Sequence, residues 1–249
     1  MIEGIKVIDF HGHVGRWDKW VNNYDQELML HAMDTAGIDI ACLFNTFYPD
    51  GTSGNNRTAK FIAKFPHRFV GYAVVSPEMP ERMVPELTRA IDELKFRAIK
   101  VYPPYTTCEI YKPPWHPIYE FANERKLAIL FHSGVEWQNH TRYLAKIAPD
   151  YPQAIFVAGH SGNVANERAD AIAGAQAHPN IYLETCSTFR TPGVVEQLVN
   201  EAGADRVLYG SDIPVMDPRA QIGKIITAEI SDEAKRQVLG GNARRLLGL

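Results

Sequence analysis

Length, composition and charge are those of an ordinary globular chain. The 249 residues suit one large domain or two small ones, and 45% apolar with 22% charged residues is enough to build a buried core. The formal net charge of −3, without a long run of Lys or Arg, excludes a protein that binds nucleic acid or an anionic membrane through a basic surface.

Cysteine usage and the N-terminus indicate where the protein works. Cys42, Cys108 and Cys186 lie far apart, and an odd, unpatterned set argues against a disulfide framework and for a reducing compartment. The first residues lack the basic and apolar regions of a secretory signal, and no apolar run approaches the length of a membrane span. We therefore expect a cytoplasmic protein.

Short apolar runs alternate with segments of helical spacing along the chain. In chain order, each predicted strand is followed by a helix: Ile5–His11 and Gln26–Ala36, Ile38–Phe44 and Gly54–Phe65, Phe69–Val75 and Glu81–Leu94, Arg97–Tyr102 and Ile118–Arg125, Leu127–His132 and Tyr143–Pro149, Ala154–His160 and Asn163–Ala177, Ile181–Cys186 and Pro192–Ala202, Arg206–Asp212 and Pro218–Ile226. The tail Asp232–Leu247 is predicted to be helical as well.

This alternation predicts parallel βαβ units. Eight units in a chain of this length favour a closed (β/α)₈ TIM barrel, with residues 1–249 forming a single α/β domain. An open doubly wound sheet is the alternative, and it would have a Gly-rich phosphate loop after the first strand. The first strand runs instead into His11-Gly12-His13.

Chemically active residues lie where the predicted strands end, which is where barrel enzymes place their active sites. These residues are His11 and His13, Lys100 and Tyr102, His132, His160, Glu184 and Asp212. A lone strand histidine is more commonly a packed or solvated residue, and a bare His-x-His is frequent by chance. The joint pattern of His-x-His, His, His and Asp at the ends of strands one, five, six and eight is a much stronger indication of an active site.

Alternation of side chains along a strand supports the same placement. Counting back from each polar residue assigns the following residues to the barrel interior: Asp9 with His11 and His13, Leu130 with His132, Phe156 and Ala158 with His160, and Leu208 with Asp212. The intervening apolar residues, including Ile8, Phe10 and Val157, are then predicted to pack against the outer helices.

At these positions the sequence resembles the amidohydrolase-related branch of the amidohydrolase superfamily, which contains aminocarboxymuconate-semialdehyde and related decarboxylases beside hydrolases. The resemblance spans essentially the whole chain and is specific to the superfamily rather than to one reaction. The matching segments are Ile8–His13, Phe131–Gly134, Ala158–Gly162, Tyr209–Asp212 and the C-terminal Gly241–Leu249.

The resemblance implies a metal centre. His11, His13, His132 and Asp212 would hold one divalent ion, for which three imidazoles and a carboxylate suit Zn²⁺, with Mn²⁺, Fe²⁺ and Co²⁺ as alternatives. Asp212 and His160 would be the catalytic residues, because Asp212 can transfer a proton and His160 can stabilise an oxyanion. His160 could alternatively bind a second metal.

The predicted substrate-binding residues are Arg16, Trp17, Lys100, Tyr102, Trp137 and Glu184. Arg16 and Lys100 suggest a substrate carboxylate, and the aromatic side chains suggest a compact, partly apolar molecule. For Lys100 there is an alternative, because some binuclear members of the superfamily bridge two metals with a carboxylated lysine at the end of strand four. We favour the substrate cation.

The expected function is metal-dependent hydrolysis of a small amide, lactone or ester that bears a carboxylate, using a metal-activated water. Metal-dependent decarboxylation of a small unsaturated or aromatic acid is the alternative, since the same site can protonate a carbon. A third hypothesis is a catalytically silent barrel that binds a small molecule. A small molecule is the expected partner, and the aromatic loops are compatible with a homodimer.

Overall fold

The computed structural model describes residues 4–15, 24–186, 189 and 191–249. Arg16 and Trp17 lie outside these residues, so their predicted substrate contacts stay predictions. The strands are β1 Ile8–His13, β2 Ile40–Phe44, β3 Phe69–Val74, β4 Ala98–Val101, β5 Ala128–His132, β6 Ile155–Gly159, β7 Ile181–Glu184 and β8 Val207–Leu208.

Helices follow the strands around the sheet. They are α1 Gln26–Ala36, α2 Thr52–Ile62, α3 Pro80–Asp92, α4 His116–Arg125, α5 Leu144–Ile147, α6 Ala165–Ala177, α7 Val194–Ala202, α8 Pro218–Ile226, α9 Asp232–Arg236 and α10 Asn242–Leu247. Short 3-10 turns cover Pro103–Tyr105, Pro113–Trp115, Thr141–Tyr143, Ala148–Asp150 and Ala204–Arg206, and a π-helical turn covers Gln237–Gly241.

The eight strands of the described chain form one parallel sheet in sequence order. The first and last strands meet through a bridge between Gly12 and Ile213. The N–H of Asp212 donates to the carbonyl of His11 at 2.8 Å along the same seam. The sheet therefore closes into the single-domain (β/α)₈ barrel that the alternation predicted, and the open-sheet alternative is wrong.

Local sequence signals explain α1, whose bounds match the prediction, as do those of α8. The side chain of Asp25 accepts a hydrogen bond from the N–H of Leu28 and caps the first turn. Gly37 ends the helix in the left-handed region at φ 75°, a conformation that costs glycine little. The short strand β8 is less well predicted, because its ladder ends at Leu208, four residues before Asp212.

Two apolar clusters separate the inside of the barrel from its outer layer. The inner cluster takes residues from every strand, and α10 adds two to it: Ile8, Phe10, Cys42, Phe44, Tyr72, Val74, Ala98, Ala128, Leu130, Val157, Tyr182, Leu208, Ala243 and Leu247. The outer cluster packs the other strand faces against the helices. Lys100, His132 and Glu184 lie two residues beyond inner-cluster members, so simple alternation carries them into the barrel.

The predicted alternation is correct for β5 and β8 and wrong for β1 and β6. Ile8, Phe10 and Val157 belong to the inner cluster, whereas Phe156 and Ala158 belong to the outer one. In β1 the register shifts between Asp9 and Gly12, so an extra residue reverses the alternation before His11. In β6 the ladder ends at Gly159, and His160 turns inward with a left-handed φ of 61°.

Among the residues that the structure describes, no helix combines the length and the apolar content needed to cross a bilayer.

Candidate metal centre

Three predicted ligands converge at the seam between β1 and β8. Oδ1 of Asp212 lies 2.9 Å from Nε2 of His13 and 3.5 Å from Nε2 of His11. All three side chains are buried, and their ligand atoms lie within 4.8 Å of one another. Asp212 itself has a left-handed backbone with φ 65°, which turns its carboxylate toward the two imidazoles.

These separations fit a single metal ion. Ligand atoms about 2.1 Å from a common ion lie roughly 3.0–3.4 Å apart at the angles of tetrahedral or octahedral coordination. The spacings of 2.9 and 3.5 Å around Oδ1 of Asp212 are close to that range. Nitrogen and carboxylate donors without a thiolate suit Mn²⁺, Fe²⁺, Co²⁺ or Zn²⁺.

His132 and His160 form a second pair beside this triad. Nε2 of His160 lies 3.0 Å from Nδ1 of His132, and Nδ1 of His160 lies 3.0 Å from the carbonyl oxygen of Cys186. A carbonyl only accepts, so Nδ1 of His160 carries its hydrogen and Nε2 accepts from His132. The structure thus places His132 against His160 rather than in the triad, and its role as a ligand stays a prediction.

Glu184 lies behind the ligand His11. Its Oε2 accepts a hydrogen bond from Nδ1 of His11 at 2.9 Å, and its carboxylate also accepts from the backbone N–H groups of Cys186 and His160. Because Nδ1 of His11 is the donor, Nε2 presents its lone pair to the triad. Orientation of a ligating imidazole by a carboxylate is a common feature of metal sites.

Lys100 brings a buried ammonium group into the same space. Its Nζ lies 3.3 Å from Nε2 of His11 and 4.8 Å from the centre of the Phe44 ring. Burial lowers the pKa of Lys100 from 10.5 to about 8. A cation at this position can receive a substrate carboxylate, and its amine is also where a carboxylated lysine would lie, so both predictions for Lys100 stay open.

The titratable groups are held in the protonation states that metal ligands need. Burial lowers the pKa values of His11, His13 and His132, so their imidazoles are neutral near pH 7. Burial opposes ionisation of Asp212, but the hydrogen bond from His13 and the neighbouring histidines outweigh it and hold the pKa of Asp212 well below its usual value. An ionised carboxylate beside neutral imidazoles can bind a cation once the hydrogen that Nε2 of His13 donates to Asp212 has moved to Nδ1.

Comparison with known proteins places this site in a family. The model of the Amidohydrolase family matches residues 8–249, which includes every candidate ligand. The chain belongs to the amidohydrolase family. The resemblance inferred from the motifs around His11, His132, His160 and Asp212 is thereby confirmed, and the chain is an enzyme of the amidohydrolase superfamily.

Relatives of this amidohydrolase chain include decarboxylases. It is 24% identical over 245 residues to gamma-resorcylate decarboxylase of Polaromonas sp. (strain JS666), covering 78% of this chain and 75% of that protein. The 5-carboxyvanillate decarboxylase of Sphingomonas paucimobilis superposes with a TM-score of 0.77 at 16% identity, covering 99% and 100% of the two chains.

A third similar structure, dihydroxybenzoic acid decarboxylase from Polaromonas sp. JS666, contains manganese and the inhibitor 2-nitroresorcinol. It superposes with a TM-score of 0.75 at 20% identity, covering 99% of this chain and 97% of that one. The two structural likenesses establish the fold.

The other predicted substrate contacts of this amidohydrolase lie at the barrel mouth. The Tyr102 ring packs 4.6 Å from the ring of His132 and 4.6 Å from that of Tyr105. Trp137, in the loop after β5, is 53% exposed. Tyr102 therefore lies beside a candidate ligand, whereas Trp137 lies on the surface.

Sequence reasoning missed two structural roles close to the ligands. The buried carboxylate of Asp9 accepts from the N–H groups of His11 and Ser211 at 3.1 and 2.8 Å, and also from the Ser211 hydroxyl, so it ties β1 to the segment before Asp212. The buried Cys186 contacts both His11 and His160. An acidic residue in an otherwise apolar strand was the available signal for Asp9, whereas the sequence held no signal for Cys186.

Proposed function

We propose that this protein is a divalent-metal-dependent decarboxylase of a small hydroxylated aromatic carboxylic acid. One observation carries the proposal: the buried amine of Lys100 and the buried carboxylate of Asp212 both lie beside Nε2 of His11, at 3.3 and 3.5 Å. A carboxylate substrate needs the first group, and the carbon that loses CO₂ needs the second. The curated relative, a decarboxylase, supports the same reaction.

His11, His13 and Asp212 are the residues proposed to hold the metal, with His132 as the candidate fourth ligand. A bound divalent ion supplies positive charge that holds anionic substrate oxygens and stabilises negative charge on the substrate. Lys100 binds the carboxyl group that leaves, because its Nζ lies 3.3 Å from Nε2 of the proposed ligand His11. The burial of these groups excludes bulk water and strengthens each electrostatic contact.

Proton transfer is proposed for Asp212 and His160. When the bond to the carboxyl group breaks, CO₂ leaves and the ring carbon keeps the electron pair, so it must gain one proton. Asp212 is ionised at rest, so it first takes one proton, from solvent or from a substrate hydroxyl, and then passes that proton to the ring carbon. His160 donates Nδ1–H to Cys186 O, so its Nε2 is the atom that exchanges a proton with His132 or with a substrate hydroxyl.

Decarboxylase assays test the proposal directly. The protein loaded with Mn²⁺ is incubated with gamma-resorcylate and 5-carboxyvanillate, the substrates in the relatives' names, and CO₂ and aromatic products are measured. We expect CO₂ release and, in D₂O, one deuterium at the vacated carbon. Asp212→Asn is the inactive control. Hydrolysis of lactones or amides without CO₂ release from any aromatic acid would overturn the proposal and restore the hydrolase expectation.

The roles of the remaining substrate-binding residues are proposals as well. Tyr102 is proposed to pack on the aromatic ring of the substrate, and Arg16, Trp17 and Trp137 are proposed to contact the substrate as well. For Glu184 we propose orientation of His11 in place of substrate contact, because its carboxylate accepts from His11. We also propose zinc or manganese as the resident metal, which elemental analysis measures. Assembly as a homodimer is proposed as well, and sedimentation measures it.

A further inference from the structure

Cys186 is a buried nucleophile that the proposed reaction does not use. Its Sγ lies 3.2 Å from Nδ1 of His160 and 3.4 Å from Nδ1 of His11. These three donor atoms lie within 4.8 Å of one another, so they form a second group of potential ligands beside the triad. The carboxylate of Glu184 borders the same group through its contact with His11 at 2.9 Å.

The donor atoms have the spacing of a thiolate-containing metal site. Sulfur about 2.3 Å and nitrogen about 2.0 Å from a common ion lie roughly 3.3–3.6 Å apart near tetrahedral angles. The two sulfur–nitrogen separations of 3.2 and 3.4 Å are close to this range. One cysteine and two histidines supply three of the four donors of a tetrahedral zinc site.

This group differs from the triad in ligand chemistry and in the nitrogen of His11 that it uses. The triad approaches Nε2 of His11 with hard donors, whereas the Cys186 group approaches Nδ1 with a soft sulfur. Thiolates select thiophilic ions such as Zn²⁺, Cd²⁺ and Co²⁺, and they bind Mn²⁺ and Mg²⁺ poorly. The imidazole ring of His11 therefore lies between a site that can hold Mn²⁺ and a site that favours thiophilic ions.

We propose that Cys186, His160 and His11 form an inhibitory site for thiophilic divalent ions that shares its two histidines with the proposed catalytic centre. Binding replaces the Cys186 S–H bond with a metal–sulfur bond, and the thiol proton passes to solvent. The Nδ1 hydrogens of the two histidines move to Nε2, so that each neutral ring binds the ion through the lone pair of Nδ1. Binding thus removes the hydrogen bond from Nδ1 of His160 to the Cys186 carbonyl and the one from Nδ1 of His11 to Glu184. Metal binding therefore removes the two hydrogen bonds that orient His160 and His11 in the proposed catalytic centre.

Cobalt titration tests the site without relying on activity. Metal-depleted protein is titrated with Co²⁺ while the near-ultraviolet sulfur-to-cobalt charge-transfer band is recorded, and X-ray absorption of the loaded wild type is examined for a sulfur ligand. We expect a band and one sulfur ligand in the wild type, with loss of the band in Cys186→Ser. Cys42→Ser and Cys108→Ser are matched controls that keep it.

The outcomes separate this inference from the proposed function. If the wild type shows neither the band nor a sulfur ligand, the proposed inhibitory site is wrong, whatever reaction the enzyme catalyses. This measurement uses the wild type alone and does not require Cys186→Ser to fold. A band that persists in Cys186→Ser overturns the inference as well. In support, Zn²⁺ or Cd²⁺ added to the Mn²⁺-loaded wild type should abolish whatever activity is found, whereas the same concentration of Mg²⁺ should not.

Discussion

Glu184 and His11 form a buried carboxylate–imidazole pair, with Oε2 of Glu184 2.9 Å from Nδ1 of His11. Both side chains are fully buried, and β7 and β1 bring them together from 173 residues apart in the chain. The pair determines that Nε2 of His11, and not Nδ1, faces His13 and Asp212. A carboxylate that only accepts hydrogen bonds is the group best suited to this task.

Glu184→Gln should weaken binding of Mn²⁺ by roughly 10- to 100-fold, because such orienting partners typically contribute that much to affinity. The carboxylate of Glu184 accepts hydrogen bonds from His11, His160 and Cys186. The amide group of glutamine would place N–H donors against some of these donors. Isothermal titration of metal-depleted protein measures the change. The matched control is Glu167→Gln, which removes a buried carboxylate that accepts from His140 and Thr141 elsewhere in the fold. Equal losses in the two variants would refute the orienting role.

Asp212→Asn should lose the bound metal and activity while the barrel still folds. Asparagine tolerates the left-handed φ of 65° at this position, so the change removes charge and leaves the backbone in place. Elemental analysis and circular dichroism measure the two effects. Asp217→Asn is the control from the same loop, since Asp217 caps α8 by accepting from the N–H of Arg219 and pairs with the exposed Arg219 side chain, away from the triad. Full metal content in Asp212→Asn would remove it from the ligand set.

Lys100→Met should raise KM for a carboxylate substrate by roughly 10- to 100-fold, the loss expected for one hydrogen bond to a charged group. Metal content should stay at its wild-type value, because the triad does not include Lys100. The metal-free variant should unfold at no lower temperature than the wild type, since it no longer buries an ammonium group. Loss of a second metal equivalent would instead identify Lys100 as a carboxylated bridging ligand.

A separate polar network joins α2, β3 and α3. The carboxylate of Glu86 accepts from Arg89, Asn55 and Thr52 at 2.8–2.9 Å. Asn55 in turn exchanges two hydrogen bonds with the backbone of Val74. Burial alone would raise the pKa of Glu86, but the hydrogen bonds from these neighbours outweigh it, and the pKa is lowered.

Glu86 should therefore stabilise the fold above the usual glutamate pKa, and this contribution should disappear as the pH falls through its lowered folded value. Glu86→Gln should lower the free energy of unfolding by about 1–3 kcal/mol near pH 7. The free energy of unfolding should also decrease less steeply in the variant as the pH falls. Urea unfolding at several pH values measures both. Glu81→Gln, on the exposed face of the same helix, should change stability by less than about 0.5 kcal/mol. A similar loss in Glu81→Gln would argue against the network.

The sequence by itself determined the number and order of the βα units and the family. Periodicity and caps are local properties, which is why the bounds of α1 are correct. The strand-end residues His11, His132, His160 and Asp212 could be recognised because motifs of neighbouring residues carry them. The choice between hydrolysis and decarboxylation did not follow from these residues, since both reactions use the same ligands.

Only the tertiary structure decided how those residues meet. Counting along a strand assumes an unbroken pleat, so a single extra residue in β1 and the left-handed turn at His160 reversed the alternation predicted for two strands. The partners Glu184 for His11 and Cys186 for His160 lie on strands or loops distant in sequence, and no local pattern records them. Closing the barrel brings these side chains together, because it places the carboxyl ends of all eight strands around one axis.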